Sequence, residues 1–210
     1  MTNTASSDTR GTVRTIIVTW ILTMVSTLAT TYCAQDWQNK NMLESNLRER
    51  RLQAFAEAMG VRITLAQLAV SFQQSRINRR FHEARFALSH DKLDIEESRR
   101  YLQRNEMLIT ELTKERKRLY ELVASIVILF PDIPLDVYLN LRGLGVLSPP
   151  SSPKGITKGS DLTAWQTEQL ALTEAQVEDE FGKPIGQLID HIARSMGLSI
   201  QVPIRVPAAQ

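Results

Sequence analysis

The alternation of apolar and polar residues changes character three times along this chain. Ile16 to Ala34 is one apolar run without Gly, Pro or charge. From Asn41 to Phe130 apolar residues recur at helical spacing between charged ones. Beyond Pro131 the pattern breaks into short pieces. The fold class this predicts is all-α: one N-terminal transmembrane helix, long amphipathic helices forming a coiled coil or helical bundle, and a Pro-broken small helical C-terminal region.

The run 16–34 would span about 28 Å as a helix, close to the hydrocarbon thickness of a bilayer. It predicts a membrane anchor, preceded by a small polar flank, residues 1–15, expected to be disordered. A cleavable signal peptide competes with this reading. Arg10 and Arg14 would be its charged region and Ile16 to Val25 its apolar region. Against cleavage stand the length of the run and the bulky Tyr32 just before Ala34. A buried core helix is out of place so near a terminus. The residues before Cys33 also lack the small side chain that a lipoprotein cysteine wants.

Thr15, Thr19, Thr23, Thr27 and Thr31 recur every four residues in this run. That spacing winds slowly around a helix and makes a stripe of small hydroxyl side chains. Such a stripe can bring membrane helices together. The alternative is that each hydroxyl bonds back to a carbonyl of its own helix.

Between Thr12 and Phe130 the only Gly is Gly60, and all eight prolines lie at or beyond Pro131. Residues 36–130 therefore read as a long helical region. Gly60 is expected to end a first helix carrying Leu43, Leu47, Leu52, Phe55 and Met59, with a second running from about Val61 to Leu88. Ser89-His90-Asp91 is the best internal boundary, with Ser89 or Asp91 as the next cap. A seven-residue pattern follows. Phe81, Leu88, Ile95, Leu102, Ile109, Val123 and Phe130 share one position, interrupted by Arg116. Ala84, Asp91, Ser98, Asn105, Leu112, Leu119 and Ile126 share its partner. A strict seam needs both positions apolar. The expected contact surface is therefore Ile109, Leu112, Leu119, Val123, Ile126 and Phe130.

Pro131 and Pro134 stop this helix. Residues 131–159 read as a Pro/Gly-rich linker with a short helix from Leu135 to Leu141. A second membrane pass across Leu122 to Leu147 is disfavoured by its prolines and charges. Ser148 to Gly155 is linker by composition and holds a minimal Pro-x-x-Pro. Residues 160–210 are expected to form a small helical region. Ser160 or Asp161 would cap a helix to about Leu172, Thr173 would restart the chain, and Pro184 would open a last helix stopped by Gly197. An extended tail would follow.

Charge adds an asymmetry. Residues 40–118 hold 17 Lys+Arg against 11 Asp+Glu, and residues 119–210 hold 6 against 10. A basic middle is thus joined to an acidic end. Positive residues flank the apolar run on both sides: Arg10 and Arg14 before it, Lys40, Arg48, Arg50 and Arg51 after it. The reading favours a non-cytoplasmic C-terminal domain by a narrow margin. One cysteine excludes an intrachain disulfide.

The chemistry is sparse. His82, His90 and His191 lack metal-ligand spacing, and no phosphate loop, nucleophile elbow or Cys-x-x-Cys is present. Catalytic, cofactor and metal residues are accordingly expected to be absent. The basic run Arg76 to Arg85 is diluted by Glu83 and reads as a charged helix face rather than a site for nucleic acid. The function expected is a single-pass membrane scaffold or accessory subunit, contacting the membrane, other membrane subunits or itself. The alternatives are a signal-relaying subunit using Asp91, Ser98 and Asn105, or a secreted helical protein if residues 1–34 are removed.

Overall fold

The structure is a computed structural model that describes residues 8–144 and 147–198; side chains are described at 24 and from 26 onward. Among the described residues the elements are all helical. Helix α1 runs Asp8–Ser89, α2 Lys92–Leu129, α3 Leu135–Asn140, α4 Gly159–Val177 and α5 Lys183–Ser195. A 3₁₀ turn, Leu141–Gly143, follows α3, and a π turn, Glu178–Gly182, joins α4 to α5. The chain divides into two compact units, residues 1–49 and 50–210.

In the first unit the described side chains, including Leu28, Tyr32, Trp37, Met42, Leu43 and Leu47, are all exposed. Its one ion pair among the described residues is Lys40 with Asp36 at 2.8 Å, one helical turn apart.

The second unit holds the core. Ala58, Val61, Leu65 and Ala69 of α1 meet Leu119 and Ile126 of α2, Val137 of α3 and Ile185, Leu188, Ile189 and Ile192 of α5. A smaller cluster joins Ile77 and Phe81 of α1 to Leu162 and Trp165 of α4.

Among the described residues one helix, α1, is long and apolar enough to cross a membrane: within Ser26–Ser89 an 18-residue window reaches a mean hydropathy of 1.2, and 33% of it is buried. Phe55–Phe72 fits that window, with only Glu57 and Arg62 charged. Its buried third is Ala58, Val61, Leu65, Ala66, Ala69 and Val70, which belong to the core just described. The run 16–34 is helical within α1. Its side chains up to Thr23 lie outside the described residues.

Several expectations need correction. The first helix does not end at Gly60; α1 continues through it. One glycine costs a helix only about 1 kcal/mol relative to Ala, and buried Ala58 and Val61 on either side hold it in place. Helix α4 starts at Gly159 with Lys158 as its cap residue and no side-chain cap bond, so neither Ser160 nor Asp161 caps it. It also runs through Thr173 without a break, and the Thr173 hydroxyl donates back to the Gln169 carbonyl at 2.9 Å. The interruption comes later, at the π turn, where Lys183 N–H donates to the Glu178 carbonyl. Pro184 accounts for that position, since it has no N–H to give and its ring crowds the preceding turn. The tail after Leu198 lies outside the described residues.

The seam on α2 is also shifted. Its covered side runs Asp94, Ser98, Tyr101, Asn105, Leu108, Leu112, Glu115, Leu119, Leu122 and Ile126, in alternating steps of four and three. The partner position was read in this register, from Ser98 to Ile126. Leu102 and Ile109 were not: they are exposed beside the seam.

Other boundaries match the sequence reading. Asp91 caps α2, its Oδ1 accepting from Leu93 N–H at 3.0 Å. Before it His90 takes a left-handed φ of 56°. Gly197, with φ 69°, closes α5, and Leu198 N–H reaches back to the Ala193 carbonyl at 2.9 Å.

Candidate functional site

Two polar clusters stand out in the second unit, both built on α1. The first lies at the apex of the α1–α2 hairpin. Asp94, the third residue of α2, is a carboxylate with a side chain only 1% exposed. Its Oδ1 accepts from Arg85 Nε at 2.6 Å and lies 2.8 Å from His82 Nδ1. The Ser89 hydroxyl donates to the Arg85 carbonyl at 2.9 Å and lies 3.5 Å from Asp94 Oδ2. The His82 ring stacks on Tyr101 with centroids 5.7 Å apart. The Arg85 guanidinium, by donating to Asp94, is the main reason the carboxyl titrates below the usual carboxylate range; burial opposes this, and His82 adds a smaller push in the same direction. The arrangement fixes a charge rather than activating a nucleophile: Ser89 donates to the Arg85 carbonyl of its own helix, not to His82.

The second cluster is a strap. Residues 147–151 lie along α1, held by side chains at 73, 76 and 80, which recur on one helical face. Gln73 Nε2 donates to the Ser148 carbonyl at 2.9 Å and to Gln176 Oε1 at 3.1 Å. Arg76 Nη1 donates to the Leu147 carbonyl at 3.2 Å. Arg80 Nη1 donates to the carbonyls of Pro150 and Ser151, the latter at 3.0 Å. Gln176 Nε2 reaches the Ser148 carbonyl at 3.2 Å. From the other side, Glu180 accepts from Ser148 N–H at 3.3 Å and Gln169 accepts from Ser151 N–H at 3.0 Å. Trp165 Nε1 donates to the Ser151 hydroxyl at 3.0 Å. Burial lowers the Arg76 pKa, with Arg80 adding repulsion and Glu180 partly opposing both.

The basic run is therefore engaged inside the protein. Arg76 and Arg80 hold the strap, Arg79 pairs with Glu83 at 2.8 Å, and Arg85 pairs with Asp94. A third contact, part-buried, is Arg62 Nη2 to Glu178 Oε1 at 3.2 Å, with side chains 12% and 15% exposed.

The residues singled out from the sequence fall into three groups. Leu119, Ile126 and Phe130 are fully buried in the core, and Leu112 and Val123 pack partly against it. Ile109 is 49% exposed. The side chains of Thr15, Thr19 and Thr23 lie outside the described residues. Thr31 donates to the Thr27 carbonyl at 2.7 Å, and Thr30 donates to the carbonyls of Ser26 and Thr27; at these positions the hydroxyls bond along their own helix. Of the relay residues, Ser98 donates to Glu83 at 3.3 Å, Asp91 is the cap, and Asn105 is buried with an unpartnered Oδ1. Asn105 and Asp94 share the covered side of α2.

No group of three or more His, Cys, Asp or Glu among the described residues could hold a metal ion. A hollow of about 480 Å³ lies between α1 and α2 and is lined by Arg50, Ala54, Glu57, Arg118, Leu122 and Leu129, among others. It brings the two paired clusters no closer together. From the sequence, Asp94 reads with Glu97 as a carboxylate on a solvated helix face, which its burial corrects; Gln73 and Glu178 were passed over because each sits in a stretch of ordinary polar composition. The one available signal was spacing: Asp94 is reached by stepping back from Ile126 in fours and threes.

Comparison with protein-family models, with curated proteins and with solved structures gave no match.

Proposed function

We propose that this protein is a single-pass membrane subunit that acts through protein contacts, as a scaffold or accessory component, with its second unit outside the cytoplasm. One observation carries the reading. Leu28, Tyr32, Trp37, Met42, Leu43 and Leu47 are between 41% and 78% exposed on one helix. An isolated helix is marginal in water, and side chains of this size gain by leaving it. Lipid would cover the run 16–34 and its edge, where Tyr32 and Trp37 suit an interface. A partner helix would cover Leu43 and Leu47. The buried polar clusters support a structural rather than a catalytic use of the charges.

Cys33 makes the anchor testable, being the chain's only thiol and exposed. In native membrane vesicles an impermeant maleimide should label it poorly, and detergent should raise labelling several-fold. Equal labelling in both conditions removes the anchor. Gentle extraction followed by mass measurement then separates a stoichiometric complex from a lone chain. A purified chain beginning near Gln35 would make the run a signal peptide.

A second reading, signal relay through the α1–α2 hairpin, is favoured by the buried Asn105 with its unpartnered oxygen. A seam polar at its apex and apolar below is a candidate two-state element. Asn105→Leu should lock it, and a partner activity unchanged by that substitution counts against relay.

A further inference from the structure

The seat of residues 147–151 has the chemistry of a peptide groove. Five donor contacts run from Gln73, Arg76, Arg80 and Gln176 to main-chain carbonyls of the strap. Carbonyls are common to every sequence, so these contacts read extended backbone. Acceptors meet the strap only at the two N–H groups of Ser148 and Ser151. Between them stand Pro149 and Pro150, which have no N–H to satisfy. Donors, acceptors and prolines therefore alternate in register. Side-chain selection is confined to a few points: Leu147 and Pro150 are buried, and the Ser151 hydroxyl accepts from Trp165. A tryptophan beside a proline-containing extended segment is a recurring recognition mode.

We propose that this face of α1, completed by Trp165, Gln169 and Gln176 of α4 and by Glu180, is a binding groove for an extended partner segment of the form apolar-Ser-Pro-Pro-Ser, and that the strap is its built-in competitor. The strap occupies the groove at the high effective concentration of an attached ligand. Gly155, with φ 80° and open space around it, lies just beyond the strap and gives it a hinge. A partner segment binds by displacing the strap. This names a partner class for the contact-based reading above but does not depend on the membrane anchor, so the two can fail separately.

Lys154 is exposed three residues beyond the strap, beside the Gly155 hinge, and its cleavage reports the strap's release. The peptide Leu-Ser-Pro-Pro-Ser-Ser-Pro, added to the full-length chain in detergent, should speed lysine-specific cleavage at Lys154 several-fold. A peptide of the same composition with its prolines separated should not. A chain in which residues 148–153 are replaced by Gly-Ser repeats should bind the labelled peptide, read by anisotropy, at least about 10-fold more tightly than the native chain, because the repeats keep the carbonyls but lose buried Pro150 and the extended bias of the prolines, and so compete weakly. Arg80→Ala in that chain should weaken binding by about 10-fold. The proposal is overturned if the native chain shows no peptide-dependent cleavage at millimolar peptide. It is also overturned if the replaced chain, helical by circular dichroism, binds no better than the native one.

Discussion

Gly182 clears the space in which the Glu178 carboxylate reaches Arg62. A Cβ at position 182 would collide with that carboxylate, whose Oε1 accepts from Arg62 Nη2 at 3.2 Å. Gly182→Ala should expel Glu178 and leave a largely buried guanidinium without its partner. The expected loss is about 1–3 kcal/mol, read as a lower urea midpoint. Gly186 lies against the same guanidinium, but its added Cβ would sit 3.7 Å away, an ordinary contact. Gly186→Ala should be neutral, or stabilising by up to about 1 kcal/mol. Equal losses at both glycines would contradict this account.

The seam on α2 predicts three different outcomes along one helix. Leu119 is fully buried, and Leu119→Ala should cost about 2–5 kcal/mol. Asn105 is buried with an unpartnered oxygen, so Asn105→Leu should stabilise by about 1 kcal/mol or more. Ile109 is 49% exposed, and Ile109→Ala should stay within about 0.5 kcal/mol of the parent. Denaturant titration of the three variants checks the register directly; a large loss at Ile109 would restore the other one.

Asp94 gives the protein an acid-sensitive contact. Arg85 first, and His82 after it, hold its folded pKa below the ordinary value. The stabilisation is therefore complete above the unfolded value of about 3.9 and is lost as pH falls through the folded value. Asp94→Asn should cost about 1–3 kcal/mol at neutral pH. The gap between variant and parent should narrow below about pH 4 and close in stronger acid. A gap that stays constant across that range would mean the carboxylate charge contributes nothing.

Two backbone positions offer gains. A Cβ at Gly60 meets nothing within 4 Å, and Gly60→Ala should stabilise α1 by about 0.5–1 kcal/mol. His90 holds a left-handed φ of 56°, where His90→Gly removes strain of about 1 kcal/mol but loses the edge contact with Phe86. Thermal midpoints should rise clearly for the first and little for the second.

Much of the helical order was legible in the sequence because it depends on local chemistry. The stop before Pro131, the cap at Asp91 and the close at Gly197 each follow from one residue and its neighbours. Half of the seam register was legible, since Ser98, Asn105, Leu112, Leu119 and Ile126 share one predicted position and are covered; the other half was not, because its covered positions include Asp94 and Glu115, while Leu102 and Ile109 lie outside it. Hydrophobicity alone then chooses the wrong stripe. The strap was hidden for a related reason: Ser-Pro composition announces extended chain but says nothing of Gln73, Arg76 and Arg80, 70 to 75 residues earlier. Arg62 and Glu178 are 116 positions apart, and no periodicity connects them.

Helix α1 carries two covered faces, and their partners arrive at different times. During synthesis α2 emerges soon after α1 and can close the hairpin over short sequence separations, the kind of contact that forms fast. The other face waits for the strap, α4 and the π turn, which bond to α1 across 70 to 116 residues, and for α5, which packs on it. Until Ile185, Leu188 and Ile192 have left the ribosome, part of the apolar surface around Val61 and Leu65 has no cover from this chain. Incomplete chains ending before the π turn should accordingly be the aggregation-prone species, and the last helix, though short, decides when the protein becomes safe from its own first one.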